Sequence, residues 1–147
     1  MQHVSEGLIA VLQEQILCAE AMLETLGREN HALTGGDAER LNAAGADKAR
    51  LVETLDALER QRRSLTDAVV AGVATAATGA KQPAEWQRLL DLITECKQQN
   101  ERNGALVKAR SEQVRIALRT LRGTEPDLYS RSGLAPATAD PRSLGTA

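Results

Sequence analysis

Cys18 and Cys96 are the only thiols of the chain, and His3 and His31 its only imidazoles. These are the side chains that could attack an electrophile, hold a transition metal or move a proton near neutral pH. Their spacing argues against all three uses. Neither cysteine has a second thiol or an imidazole within the few positions that a metal site uses, and neither histidine falls near a cysteine. The sequence also has no Gly-rich phosphate loop and no nucleophile elbow. Its aromatic residues reduce to Trp86 and Tyr129, too few to line a substrate pocket. The expectation is a protein that is not an enzyme, with no catalytic residues, no cofactor and no metal, whose thiols act as small reduced apolar groups.

What remains is chemistry of recognition. Net charge is -2 over 147 residues, so no global basic field exists to hold a polyanion, and nucleic acid is not an expected partner. The run "RQRR" at Arg60 to Arg63 sits among acids and reads as a solvated helix face. No run of about 18 apolar residues occurs, and the opening "MQHVSEGLIAVLQEQ" lacks the basic start of a secretion signal, so neither membrane insertion nor a cleavable signal is expected.

The elements that position these residues are written in heptads. Ile9, Leu12, Ile16, Ala19, Leu23, Leu26, Asn30 and Leu33 alternate spacings of three and four, the seam of a coiled-coil-like helix over about 5–33. "TGGD" breaks it, with Asp37 as the next N-cap or, if Gly45 delays the start, Asp47. A second seam, Leu41, Ala44, Lys48, Leu51, Leu55, Leu58, Arg62, Leu65 and Val69, predicts a helix over 37–73. "AVVAGVATAATGAKQ" loses the period and reads as a fraying end and a loop. Pro83 at a first helical position restarts the pattern, and Trp86, Leu89, Ile93, Cys96, Asn100, Asn103, Val107, Arg110, Val114, Ala117 and Leu121 predict a third helix over 83–122. Gly123 and Pro126 read as its stop, and 124–147 as a flexible, disordered C-terminal tail.

Short connections make successive helices antiparallel, so the expected fold is all-α, an elongated antiparallel three-helix bundle. Folding the seams at the turns sets Leu23 near Leu51, Ile16 near Leu58, Leu58 near Cys96 and Leu41 near Val114. Helix 3 then outruns its neighbours. Asn30, Asn100 and Asn103 interrupt apolar seams and read as polar residues that disfavour slipped alignments. The acids of helix 1, Glu6, Glu14, Glu20, Glu24 and Glu29, face a basic helix 3 end carrying Lys108, Arg110, Arg115, Arg119 and Arg122 against Glu112. Val114, Ile116, Leu118 and Leu121, with Leu128 and Tyr129 beyond, are apolar residues without an obvious internal partner, a candidate surface for another protein. The alternative is that the tail folds back and caps the bundle.

Four stretches carry a family resemblance: "ALTGGDAERL", "LVETLDALERQRRSL", "QQNERNGALV" and "LRGTEPDLYSRSG". With Asn100, Asn103 and Gly104 followed by Tyr129 and Gly133, the chain from Ile9 to Gly133 resembles the FlgN-type flagellar export chaperones. The resemblance implies a cytoplasmic chaperone that binds C-terminal segments of hook-associated, hook-filament junction proteins, prevents their premature assembly and delivers them to the export gate. It also implies that Val114 to Leu121 bind the substrate protein and that Leu128 and Tyr129 dock on the gate. A homo-oligomeric coiled-coil scaffold, self-associating through the stripe of helix 3, is the alternative.

Overall fold

The computed structural model describes residues 2–73 and 84–132, the stretch 124–132 by its backbone. Three α-helices make up the described residues: α1 (Gln2–Gly35), α2 (Ala38–Val73) and α3 (Ala84–Ser132). None is long and apolar enough to cross a membrane. The chain divides into two compact units, 1–108 and 109–147. The antiparallel bundle lies in the first.

The break between α1 and α2 is local chemistry. Gly36 takes φ 68°, the left-handed conformation that a residue with a Cβ adopts only at a cost. That twist lets the Asp37 N–H donate back to the Ala32 carbonyl at 3.0 Å, closing a Schellman cap. Asp37 then opens α2, its Oδ1 accepting the Arg40 N–H at 3.0 Å and its carbonyl accepting the Leu41 N–H at 3.0 Å. The alternative start at Asp47 is not used. Asp47 lies inside α2, where Arg28 of α1 donates to its carboxylate at 3.0 Å and Arg50 to the other oxygen. Gly45 costs the helix about 1 kcal/mol, and the packing of Leu41 and Ala44 before it and Leu51 after it outweighs that.

Every seam position of α2 from Leu41 to Val69 is buried or half-buried, and so is the seam of α1. On α1, though, a second seam runs one residue ahead of the first, through Leu8, Val11, Gln15, Cys18, Met22, Thr25, Glu29 and Ala32, and it is just as covered. Apart from Leu8, which packs on the first seam's cluster, and Glu29, which also bonds Asn103 of α3, the two seams face different neighbours. Leu12 and Ala19, with Ile16 and Leu23, meet Leu89, Leu92 and Trp86 of α3. Val11 and Cys18 meet Leu58, with Leu51, Leu55 and Leu65, of α2. In a three-helix bundle each helix needs two contact stripes, so a single narrow seam is half of what α1 uses. Burying Leu12, Leu26, Leu89 and Leu92 is worth about 1.5–3 kcal/mol each, which a polar residue there would forfeit.

Cross-helix bonds give the directions. Gln15 to Glu59 and Arg28 to Asp47 run α1 and α2 antiparallel. Cys96 to the Ala19 carbonyl and Asn103 to the Leu26 carbonyl run α1 and α3 parallel. The α1–α2 register is the expected one. Between α2 and α3 it is not: Lys48 meets Asn100 and Arg62 meets Trp86, about a turn and a half from an alignment that would put Leu58 beside Cys96. Side-chain pairing sets this register, whereas the expectation pivoted on the midpoint of a loop. That loop, residues 74–83 with Pro83, lies outside the described residues.

Two further expectations for α3 are corrected. Its buried positions are Leu89, Leu92 and Asn103, with Cys96, Gln99 and Leu106 half-buried, so Ile93, Asn100 and Val107 of the expected seam stand exposed. The helix also continues through Gly123 and Pro126 to Ser132 instead of stopping at Arg122. Glycine weakens a helix without forbidding it, and Pro126 is followed by Asp127 and Leu128 in a further helical turn. The rest of the expected tail, 133–147, lies outside the described residues.

Candidate functional site

Asn103 is the hub of a polar layer that crosses the first unit. At 2% exposed it is among the most buried side chains described. Its amide donates to the Leu26 carbonyl and to Glu29 Oε2, both at 2.8 Å. Its Oδ1 accepts from Asn30 Nδ2 at 3.0 Å and from Gln99 Nε2 at 3.1 Å. Lys48 of α2 completes the layer, donating to Asn100 Oδ1 at 2.6 Å and lying 3.4 Å from the Glu29 carboxylate. The three asparagines singled out by the sequence therefore meet in one network. Glu29 was read only as one of the acids of helix 1, and Gln99, which also joins the network, carried no sequence signal beyond its place beside a seam.

A second cluster lies one end of the bundle away. The Arg62 guanidinium stacks on Trp86 at 4.6 Å from the ring centroid and forms a two-pronged pair with Glu59 at 2.9 and 2.8 Å. Arg62 is thus held and largely covered. The Arg62 guanidinium, then Arg63 and the Gln15 amide, hold the Glu59 carboxyl down to about 2, against burial, which pushes it up. Because this folded value lies below the ordinary carboxylate range near 4.3, Glu59 contributes stability that is present above about pH 4.5 and is lost as pH falls toward 2. Glu59→Gln should flatten the acid limb of the stability curve, measured by urea unfolding between about pH 5 and 2. The effect is modest because solvent reaches a third of the side chain. An unchanged acid limb would remove Glu59 from the account.

The thiols sit in the same interior. Cys18 donates weakly to the Leu51 carbonyl at 3.6 Å and Cys96 to the Ala19 carbonyl at 3.4 Å, and burial pushes both upward. Neither is in a disulfide. A groove of about 750 Å³ between the end of α1 and the start of α2 is lined by Arg28, His31, Ala32, Gly35, Asp37, Arg40 and Ala43. Its arginines are answered by Asp47 and Asp37, which leaves little net charge to draw a ligand.

The second unit is different in kind. Every described residue from Ala109 to Gly123 is exposed. Val114, Ile116, Leu118 and Leu121 are 59%, 53%, 48% and 66% exposed, large apolar side chains held in water on a helix. Helical period brings three of them together. Val114, Leu118 and Leu121 follow 4-3 spacing and share one face, whereas Ile116, two residues from both Val114 and Leu118, stands on the other side. Leu128 lies two turns beyond Leu121 and Tyr129 three turns beyond Leu118, so in the continuous helix backbone both fall at register positions of the same stripe.

An α-helix with an apolar face in water and no catalytic group beside it can do one thing well: accept another apolar face. The family whose model matches this chain is described as FlgN protein, and the match covers residues 1–137. No curated protein and no solved structure matches.

Proposed function

Because the chain belongs to the FlgN family, a family of flagellar export chaperones, we propose that it binds the C-terminal amphipathic segments of hook-associated junction proteins in the cytoplasm, prevents their premature assembly and delivers them to the export gate. The exposed stripe Val114, Leu118 and Leu121 carries this reading. An unfolded export substrate offers amphipathic segments, and such a segment can order as a helix on the stripe. The ordering costs several kcal/mol, which keeps the complex releasable without nucleotide chemistry in this chain.

The division of labour along α3 follows the resemblance. Val114 to Leu121 capture the substrate, and Leu128 with Tyr129 dock on the gate. Tyrosine suits such a dock because it offers a rigid contact with a polar tip at little entropic cost. Co-expression with candidate hook-associated proteins, followed by co-purification, tests the reading; failure to retain any of them sinks it. Tyr129→Ala should leave co-purification unchanged while weakening binding to the export gate by roughly tenfold or more. Equal loss of both would contradict the division.

A further inference from the structure

From Val114 to Leu121 the face that α3 presents in the second unit is apolar along its middle and cationic along one edge. In heptad terms Val114 and Leu121 occupy d and Leu118 occupies a. Arg115 and Arg122 then occupy e on one edge, and Arg110 occupies g on the other. Glu125 falls at a, one turn beyond Leu121, while Glu112 falls at b, away from the stripe, and meets Arg115 at 2.8 Å in an exposed i,i+3 pair. Such a pair contributes little and exchanges readily for a better-placed carboxylate.

Resting on the reading of this stripe as the capture site, we propose that its occupant is an amphipathic helix of another protein carrying Asp or Glu at the positions that flank its apolar face. Charges at e and g choose the partner of a helical seam. Here they choose an acidic one. The same charges act against a second copy of this chain: an antiparallel pairing sets Arg115 and Arg122 of one copy against those of the other, and a parallel pairing sets Arg110 against Arg115. Like charges across a seam cost free energy. The arginines therefore serve capture and oppose self-association through one arrangement.

Two labelled four-heptad peptides test this, both with Leu at a and d, one with Glu and the other with Lys at e and g. Fluorescence anisotropy against the full chain at about 0.1 M salt should show the Glu peptide binding at least about tenfold more tightly, with the gap narrowing at about 1 M salt. Arg115→Glu with Arg122→Glu should invert the preference, and circular dichroism checks that the helix persists. Equal binding of the two peptides, tighter binding of the Lys peptide or binding of neither overturns the proposal. So does a wild-type dimer in sedimentation equilibrium that Leu118→Asp with Leu121→Asp dissolves. Capture of natural hook-associated segments is scored separately. If capture survives while the peptides show no charge preference, the occupant's chemistry is wrong and the site stands.

Discussion

Leu118→Asp combined with Leu121→Asp should abolish capture of a hook-associated C-terminal segment and leave the helical content intact. Both residues lie on the exposed stripe of the second unit, where no described side chain from Ala109 to Gly123 is buried, so the bundle loses no packing. What is lost is the apolar area that the partner covers. Burying a leucine is worth about 1.5–3 kcal/mol, and the two together correspond to a fall in affinity of at least about 100-fold. Aspartate adds a second loss, because a carboxylate placed under an apolar face must be desolvated without a partner. Where that partner is itself acidic at its edges, repulsion acts in the same direction. Isothermal titration of the variant against the segment reads the effect, with far-ultraviolet circular dichroism as the check on folding. Capture at wild-type affinity would move the site away from this stripe. Ile116→Asp is the internal comparison: on the other side of the helix, it should weaken capture far less.

Asn103→Ala is expected to be the most destabilising single polar substitution in the bundle. The side chain satisfies four partners at once: the Leu26 carbonyl, Glu29, Asn30 and Gln99. Truncation takes one bond from each of those groups around a side chain that is itself 2% exposed, and the network was built around one hub. A loss of about 3 kcal/mol follows, which lowers the melting temperature by roughly 6–12 °C for a chain of this size. Asn100→Ala should cost under about 1 kcal/mol, since it removes one contact with Lys48 from an exposed position. Thermal unfolding followed at 222 nm separates the two. A melting temperature for Asn103→Ala within about 2 °C of wild type would mean that the layer is bystander chemistry.

These two residues sets do different work, and the burial pattern says why. Asn103 sits where three helices converge, so its polarity costs free energy unless every bond is made, and that requirement penalises slipped alignments. Leu118 and Leu121 are 48% and 66% exposed, so their apolarity carries a standing cost in water that an apolar partner would relieve. A buried amide and an exposed leucine pair are the same kind of exception, each set against its surroundings.

Much of this was legible in the residues alone. Alternation of three and four from Ile9 and from Leu41 determined two helices and their buried faces, because an α-helix repeats its face at that spacing and apolar side chains leave water wherever a face can be covered. Gly36 and Asp37 determined the first turn, since a positive φ and an N-cap carboxylate are local requirements of the backbone. The exposed stripe of α3 was legible too, as apolar residues at the end of a third seam expected to outrun the other two. Tertiary structure alone decided the rest. The second seam of α1 hid behind the polar residues Gln15, Thr25 and Glu29, of which Gln15 and Glu29 are bonded to groups on other helices and Thr25 to the Ala21 carbonyl of its own, and Ile93 and Val107 lost their expected places because α3 turns a neighbouring face to α1. Register between α2 and α3 came from Trp86 under Arg62 and Lys48 on Asn100, contacts between residues far apart in the chain that no local spacing encodes.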